Sequence, residues 1–271
     1  MKLINLRKSL KQDFISVGVD EIDVDYIISE VLGVSHTELN LIDDVTNEQL
    51  NQVNEVASLR MHGKPLDKIF NKKHFYGLEF IVDENVLSPR ADSEILVEKA
   101  INIIKENNLK SVLDLCTGSG CIAIAIKKNV DAQISASDIS TKALKIAKLN
   151  AKNLGAEINF IHSNMFEKIE NKYDLIVSNP PYIATDEIED LDVEVKSYDP
   201  LLALDGGELG LKYYNIIHDN AKKHLNDNGY LLLEIGEDQK NLVSSLFTDF
   251  DLLECIKDYG GNDRVLVFRK N

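Results

Sequence analysis

The apolar positions of the first third of the chain recur at helical spacing. Leu3, Leu6, Leu10, Phe14 and Val17 form one stripe, and Val24 to Leu32 continue the pattern. A short piece capped by Ser35 follows. Thr46-x-x-Gln49 then reads as a capping box that opens a longer helix, with Gly63 as its stop. Residues 1–63 are therefore expected to form a small helical bundle. From Pro65 to Asp83 apolar and polar residues alternate around Gly77, the pattern of a hairpin, so 64–90 is read as a β-hairpin linker. From Asp92 a helix leads into alternating strands and helices, with strands near 111, 133, 157, 173, 229, 251 and 264. The last two strands are joined by a short turn, which predicts an antiparallel pair at the edge of a mostly parallel sheet. The fold class is α/β, with residues 91–271 as the larger domain.

Two strand ends in this region carry chemistry. Ser111 to Cys116 reads as a buried strand running into Thr117-Gly118-Ser119-Gly120 and the apolar stretch Cys121–Ile126, an order of strand, glycine turn and helix. Glycines there allow a tight turn and close approach of a ligand to the helix N-terminus. The strand Gln133–Ser137 ends at Asp138, about twenty residues past the first glycine, where a carboxylate can hold a ribose diol. These features fit an adenosine ligand. They suit a nicotinamide dinucleotide and S-adenosylmethionine equally, because Gly118-x-Gly120-x-x-Ala123 also satisfies the dinucleotide fingerprint.

The second strand end separates the two. Tyr173 to Ser178 is an apolar run that delivers Asn179-Pro180-Pro181-Tyr182. Two prolines stiffen the loop and remove two backbone donors, so the Asn179 side-chain oxygen and the Pro180 carbonyl can accept from a planar NH2 group while Tyr182 offers a flat face. Hydride transfer has no use for such a loop. Methyl transfer to an amide nitrogen does, because a delocalised lone pair attacks poorly and orientation must supply much of the rate, in favourable cases roughly 7–11 kcal/mol. Acceptors that hold both N–H groups also meet the positive charge that develops on nitrogen.

With these residues in view, the chain resembles the PrmC (HemK) family of S-adenosylmethionine-dependent N5-glutamine methyltransferases, which modify peptide chain release factors. Val86-Leu-Ser-Pro89-Arg90-Ala-Asp-Ser-Glu94, Asp114 to Gly120, the Asn-Pro-Pro-Tyr loop and Asp258-Tyr-Gly-Gly-Asn-Asp-Arg264-Val carry the likeness, which covers most of residues 62–271. It implies a seven-stranded Rossmann-like sheet with an N-terminal helical domain that selects the substrate. It places cofactor contacts on Cys116, Thr117, Gly118, Ser119, Gly120, Asp138, Met165 and Asn179. The glutamine is placed on Asn179, Pro180, Pro181 and Tyr182, with Asn179, Pro180 and Tyr182 catalytic. Ala91, Asp92 and Ser93 stand where relatives often have Pro, Glu and Thr, and Asn164-Met165 where an acidic residue and Trp are frequent. A thioether covers an adenine face less rigidly than an aromatic ring, so the last change bears on cofactor affinity. Relatives that modify a ribosomal-protein glutamine share the catalytic domain. A DNA adenine-N6 methyltransferase, which uses the same loop on a flipped base, is a further alternative, as is a cofactor-binding module without catalysis.

Composition narrows the classes. The chain has 271 residues and a net charge of −15, which disfavours a protein that grips nucleic acid directly. The acidic run Asp186–Glu194 just after the loop is the place where a basic protein partner would be felt, although such runs are usually solvated helix faces. No stretch approaches the roughly 20 apolar residues of a membrane span, and the N-terminus reads as a helix rather than a signal. A cytoplasmic monomer is expected. Cys116, Cys121 and Cys255 lack metal-ligand spacing and are read as buried, unpaired thiols, with no metal.

Overall fold

The computed structural model describes residues 1–271 and divides into two compact units, Met1–Asn71 and Lys72–Asn271. The first contains α1 (Leu3–Ser16), α2 (Ile22–Leu32), α3 (Asn47–Met61) and α4 (Leu66–Phe70), with a single 3-10 turn at Glu38–Leu41. Of the expected stripe Leu3, Leu6, Leu10 and Phe14 are buried against Val24, Ile27, Ile28, Val53 and Ala57, whereas Val17 follows the end of α1 and is exposed. Thr46 accepts from the Gln49 amide, and the Gln49 side chain accepts from the Thr46 amide, so the capping box starts α3. Arg7 binds both oxygens of Asp25 at 2.6 and 2.9 Å, pinning α1 to α2. Burial of that carboxyl is outweighed by Arg7 and Lys11, and its pKa lies below the usual carboxylate range.

The segment expected as a hairpin linker is three structures in one. Pro65, with φ fixed and no N–H to lose, introduces the short helix α4, which ends at Asn71 in the left-handed region. The hairpin itself is confined to β1 (Lys72–Phe75) and β2 (Leu78–Ile81) around Gly77. Its place in the second unit is fixed by Asn150, whose side chain bonds both the amide and the carbonyl of Ile81. Val82–Arg90 then runs as coil, and much of it forms a wall of the cleft described below.

Behind this lies the expected sheet. In chain order come α5 (Ser93–Asn107), β3 (Ser111–Leu115), α6 (Cys121–Asn129), β4 (Gln133–Asp138), α7 (Thr141–Asn153), β5 (Asn159–His162), β6 (Tyr173–Ser178) and α8 (Val193–Tyr198). They are followed by α9 (Lys212–His224), β7 (Leu225–Glu234), α10 (Lys240–Leu246), β8 (Phe250–Lys257) and β9 (Asp263–Lys270). The seven strands lie in the order β5-β4-β3-β6-β7-β9-β8, parallel from β5 to β7 and antiparallel at β9 and β8. Val112, Leu175, Val177 and Leu232 pack under one helical layer; Leu113, Ile176, Leu231 and Leu266 pack under the other. The sheet is covered on both faces, which is why its central strands are continuous apolar runs. The chain leaves β3 toward β4 and β5, then returns to β6 on the other side of β3. This reversal of winding opens a crevice beyond the carboxyl ends of β3 and β6.

Candidate functional site

That crevice is occupied by a cleft of about 1180 Å³, part of it open to solvent. It is lined entirely by residues of the second unit. One wall is the turn after β3. Asp114, fully buried, accepts the Thr117 hydroxyl at 2.6 Å, and the Thr117 amide reaches the Ser137 carbonyl at 3.0 Å. The Gly118 amide bonds Asp138 Oδ2 at 2.9 Å, while the other oxygen of Asp138 takes the Ser140 amide at 2.8 Å. The carboxylate at the end of β4 thus holds the glycine turn in place as well as facing the cleft. Each of its oxygens keeps a lone pair for a ligand diol. Burial raises the pKa of Asp138 against the pull of its amide donors, and raises that of Asp114 to about 7.

The two glycines differ in role. Gly118 has φ +55°, and nothing lies within 4 Å of where a Cβ would stand, so its face is open toward a ligand. Gly120 has φ +82°, but a Cβ there would sit 3.1 Å from the Cβ of Ala147 and 3.2 Å from Ile124 Cδ1. Gly120, expected as a cofactor contact, does not line the cleft; it lets α6 and α7 pack closely. Cys116 and Met165 also hold left-handed backbone, with φ of 61° and 48°, and both line the cleft with their sulfurs 3.7 Å apart. Strained backbone at non-glycine residues tends to gather where a ligand is handled, and here it is invisible in the sequence because neither residue type advertises it. Half-exposed Ile139 adds an apolar face that sequence reasoning missed, though its place directly after Asp138 was a usable signal.

The opposite wall is the loop after β6. Ser178 donates its hydroxyl to the Leu115 carbonyl at 2.9 Å, which draws the ends of β6 and β3 together. Asn179 and Pro181 line the cleft; Pro180 is buried, and neither it nor Tyr182 does. The Tyr182 ring packs against the core instead. Its hydroxyl is pushed up to about 12 by burial, with Glu234 and Arg264 among the charges it feels. The loop is clamped from behind. Gln239 Nε2 donates to the Tyr182 carbonyl at 2.8 Å, Ile183 pairs with Asp205 in a short bridge, and Gly206 donates to the Ile183 carbonyl at 2.8 Å. A Cβ on Gly210 would stand 2.0 Å from the Tyr182 carbonyl oxygen, so only glycine fits there. On its inner side, Asn179 Nδ2 donates to the Ser93 hydroxyl at 3.2 Å. Ser93 is buried beside Glu234, a carboxyl at the end of β7 that burial raises to about 7.

Arg90 lines the cleft and bonds Asp199 at 2.7 Å. Glu94 accepts the Tyr76 amide at 2.7 Å and so serves the hairpin. The cysteines are free thiols, with those of Cys116 and Cys121 pushed up by burial and therefore poor nucleophiles. No helix is long and apolar enough to cross a membrane.

The cleft suits S-adenosylmethionine. It offers a carboxylate suited to a ribose at Asp138, apolar lining at Ile139 and Met165 suited to a base, and an open glycine face at Gly118. It also offers Ser88 Oγ, which is buried and has no partner within the protein.

The model of the methyltransferase small domain family matches residues 84–195. A release factor glutamine methyltransferase of Agrobacterium fabrum is 40% identical, over 99% of this chain and 96% of its own length. Another, from Fusobacterium nucleatum, is 43% identical over 92% of this chain and 73% of its own. Among solved structures, the ribosomal protein L11 methylase of Lactobacillus delbrueckii subsp. bulgaricus has a TM-score of 0.52 at 21% identity. It covers 70% of this chain and 84% of that one, a likeness of fold.

Proposed function

The chain belongs to the release factor glutamine methyltransferases, and from that premise we propose how its own residues transfer a methyl group to the side-chain amide nitrogen of the Gly-Gly-Gln glutamine of a peptide chain release factor. The observation that carries the reading is Asn179. It stands on the same cleft as Gly118 and Asp138, with its amide nitrogen already committed to Ser93 and its oxygen left for a substrate N–H.

Cys116 to Ser119, Asp138 and Met165 hold S-adenosylmethionine, which when bound supplies an electrophilic methyl group. Asn179 Oδ1 accepts one N–H of the substrate amide from the cleft wall; the Pro180 carbonyl, which does not line the cleft in this structure, is assigned the second from the chemistry of the loop. Pro180 and Pro181 stiffen that pair, and Pro181 adds an apolar contact. Tyr182 does not line the cleft, so its contribution is to pack the loop against the core. The acceptors gain strength as the nitrogen becomes positive, so they favour the transition state over the ground state. Burial keeps the Tyr182 hydroxyl and the Cys116 thiol neutral, so neither serves as a base, in keeping with a reaction driven by orientation.

No residue of the helical unit lines the cleft. A planar nitrogen is all that the Asn-Pro-Pro-Tyr loop can recognise, so the helical unit is assigned the choice among protein substrates. The enzyme is read as a monomer working in the cytoplasm on a protein, without direct nucleic-acid contact, in keeping with its net charge of −15.

Radiolabelled methyl transfer to purified release factor, to the ribosomal glutamine substrate and to duplex DNA, run in parallel, tests the reading. Label on the Gly-Gly-Gln glutamine is expected. Label on the ribosomal protein alone would overturn the substrate, and label on DNA the substrate class.

A further inference from the structure

A glutamine side chain brings two kinds of group into the cleft. Its NH2 needs acceptors, and its carbonyl oxygen needs a donor. The Asn-Pro-Pro-Tyr loop answers only the first need. Pro180 and Pro181 have no N–H, and Asn179 spends its Nδ2 on the Ser93 hydroxyl at 3.2 Å. Resting on the reading of Asn179 as the acceptor for the substrate NH2, we propose that Arg90 is the specificity-determining residue that donates to the carbonyl oxygen of the same amide.

Three contacts put Arg90 in place. Its backbone carbonyl accepts the Ser93 amide at 3.1 Å, and Ser93 is the residue that receives Asn179, so the arginine and the asparagine share one support. Its guanidinium gives an Nη2 proton to Asp199 Oδ2 at 2.7 Å. Ser88 gives its backbone amide to the other oxygen of Asp199 at 3.4 Å. One buried carboxylate thus fixes the coil before α5 and the arginine at its end. Asp199 itself precedes Pro200, which lines the cleft together with Leu202 and Arg90.

A guanidinium has five N–H groups in a planar fork. Asp199 takes one edge of the fork; the Arg90 side chain remains 44% exposed on the cleft wall, with N–H groups to spare for a ligand. The ion pair also removes an electrostatic obstacle. S-adenosylmethionine carries a positive sulfonium, and the substrate nitrogen becomes positive as it takes the methyl, so an unpaired cation beside them would oppose the reaction. Pairing with Asp199, whose side chain is 4% exposed, offsets the charge and leaves the direction of the N–H bonds. Lysine would not divide itself in this way, since its ammonium is a point charge rather than a fork.

The effect falls on binding more than on the chemical step. An amide oxygen is most negative in the ground state, where the nitrogen lone pair is delocalised onto it, and it loses charge as the lone pair turns toward the methyl. A donor on that oxygen therefore favours the bound substrate over the transition state. It also tells a carboxamide from an apolar side chain of similar size, because such a chain leaves the donor unpaired.

The test is a double-mutant cycle across the interface. Calorimetry with demethylated cofactor, so that no turnover occurs, compares wild type, Arg90→Ala, Arg90→Met and Ser88→Ala. Each is titrated with release factor carrying its Gly-Gly-Gln glutamine and with release factor carrying leucine in that place. Arg90→Ala is expected to bind the glutamine form about 10–100-fold more weakly and the leucine form within about two-fold of wild type. In turnover it should lower kcat/KM by a similar factor, chiefly through KM. Equal losses against both forms would place the guanidinium's role elsewhere and overturn the proposal. A fall in S-adenosylmethionine affinity with no dependence on the target residue would do the same, by assigning Arg90 to the cofactor carboxylate. So would a target-dependent loss in Ser88→Ala alone, which would make that hydroxyl the donor. If Arg90→Ala does not fold, Arg90→Met, which keeps the apolar stem, decides by the same comparison. A fully active Asn179→Ala enzyme would remove the reading beneath, whereas an inactive one beside an Arg90→Ala enzyme with no target-dependent loss would remove this proposal alone.

Discussion

The two walls of the cleft are built by different means. The glycine turn after β3 is held by its own neighbourhood: Asp114 lies three residues from Thr117, and Asp138 is twenty residues from Gly118. The Asn-Pro-Pro-Tyr loop is held by distant parts of the chain, with Ser93 86 residues before Asn179 and Gln239 57 residues after Tyr182. On the proposed reading the first wall binds a ligand common to many enzymes and can be a local motif, whereas the second places one oxygen accurately, by long-range contacts that lock a side chain from behind.

The largest effect should come from the second wall. Asn179→Ala is expected to reduce kcat by about 10³-fold while calorimetry finds S-adenosylmethionine still bound, since orientation is lost and the first wall is intact. A parallel loss of cofactor binding would show that the walls are not separable.

The first wall should answer to pH through stability. Asp114 has its pKa raised from 3.8 to about 7, so the folded protein holds that proton more tightly than the unfolded chain. Its contribution is most favourable below about pH 4 and is lost as pH rises through about 7, a swing on the order of a few kcal/mol. Denaturant unfolding of Asp114→Asn should therefore gain on wild type steadily from about pH 5 to pH 8; a constant difference would mean that the carboxyl titrates normally.

Gly210→Ala and Gly118→Ala compare the two walls directly. A methyl at 210 meets the Tyr182 carbonyl and should cost about 1–3 kcal/mol of stability and much of kcat. At 118 the space is open, so the cost is backbone strain of about 1 kcal/mol, seen mainly as weaker cofactor binding. Gln239→Ala, which removes the bond to the Tyr182 carbonyl together with those to Leu209 and Gly236, should lower kcat about 10-fold with cofactor affinity unchanged. Smallest of all, neutralising the exposed acids among 186–194 should raise KM for release factor a few-fold and flatten its salt dependence, leaving kcat alone.

The same contrast explains what could be read in the sequence. Thr117 to Gly120, Asp138 and the order of strands follow from local spacing, and the capping box at Thr46 was legible for the same reason. That Asn179 closes β6 at the cleft was legible because four letters end a strand. The supports behind it were not: Ser93 is an ordinary residue at a helix start, and Gln239 belongs to a turn. The buried acid Glu234 left one usable sign, a lone acid closing the apolar run Leu231–Leu233 in a strand that had to be buried. Gly120 was read as a cofactor contact because a glycine that admits a neighbouring helix and one that admits a ligand look alike until Ala147 is seen opposite. The hairpin was placed too broadly because alternation continues through Pro65–Phe70, where proline starts a helix instead.

The position of β9 between β7 and β8 also sets an order of assembly. β8 is synthesised first but has no partner in the sheet other than β9, and β7 has none on that side until β9 arrives. While the chain is emerging from a ribosome, the β7 edge beside Glu234 stays open, and a nascent chain with an unpaired edge is exposed to mispairing. The enzyme's cleft can be sketched early by β3, β4 and β6, but the β7 edge beyond them is sealed only when the residues after 263 have been made.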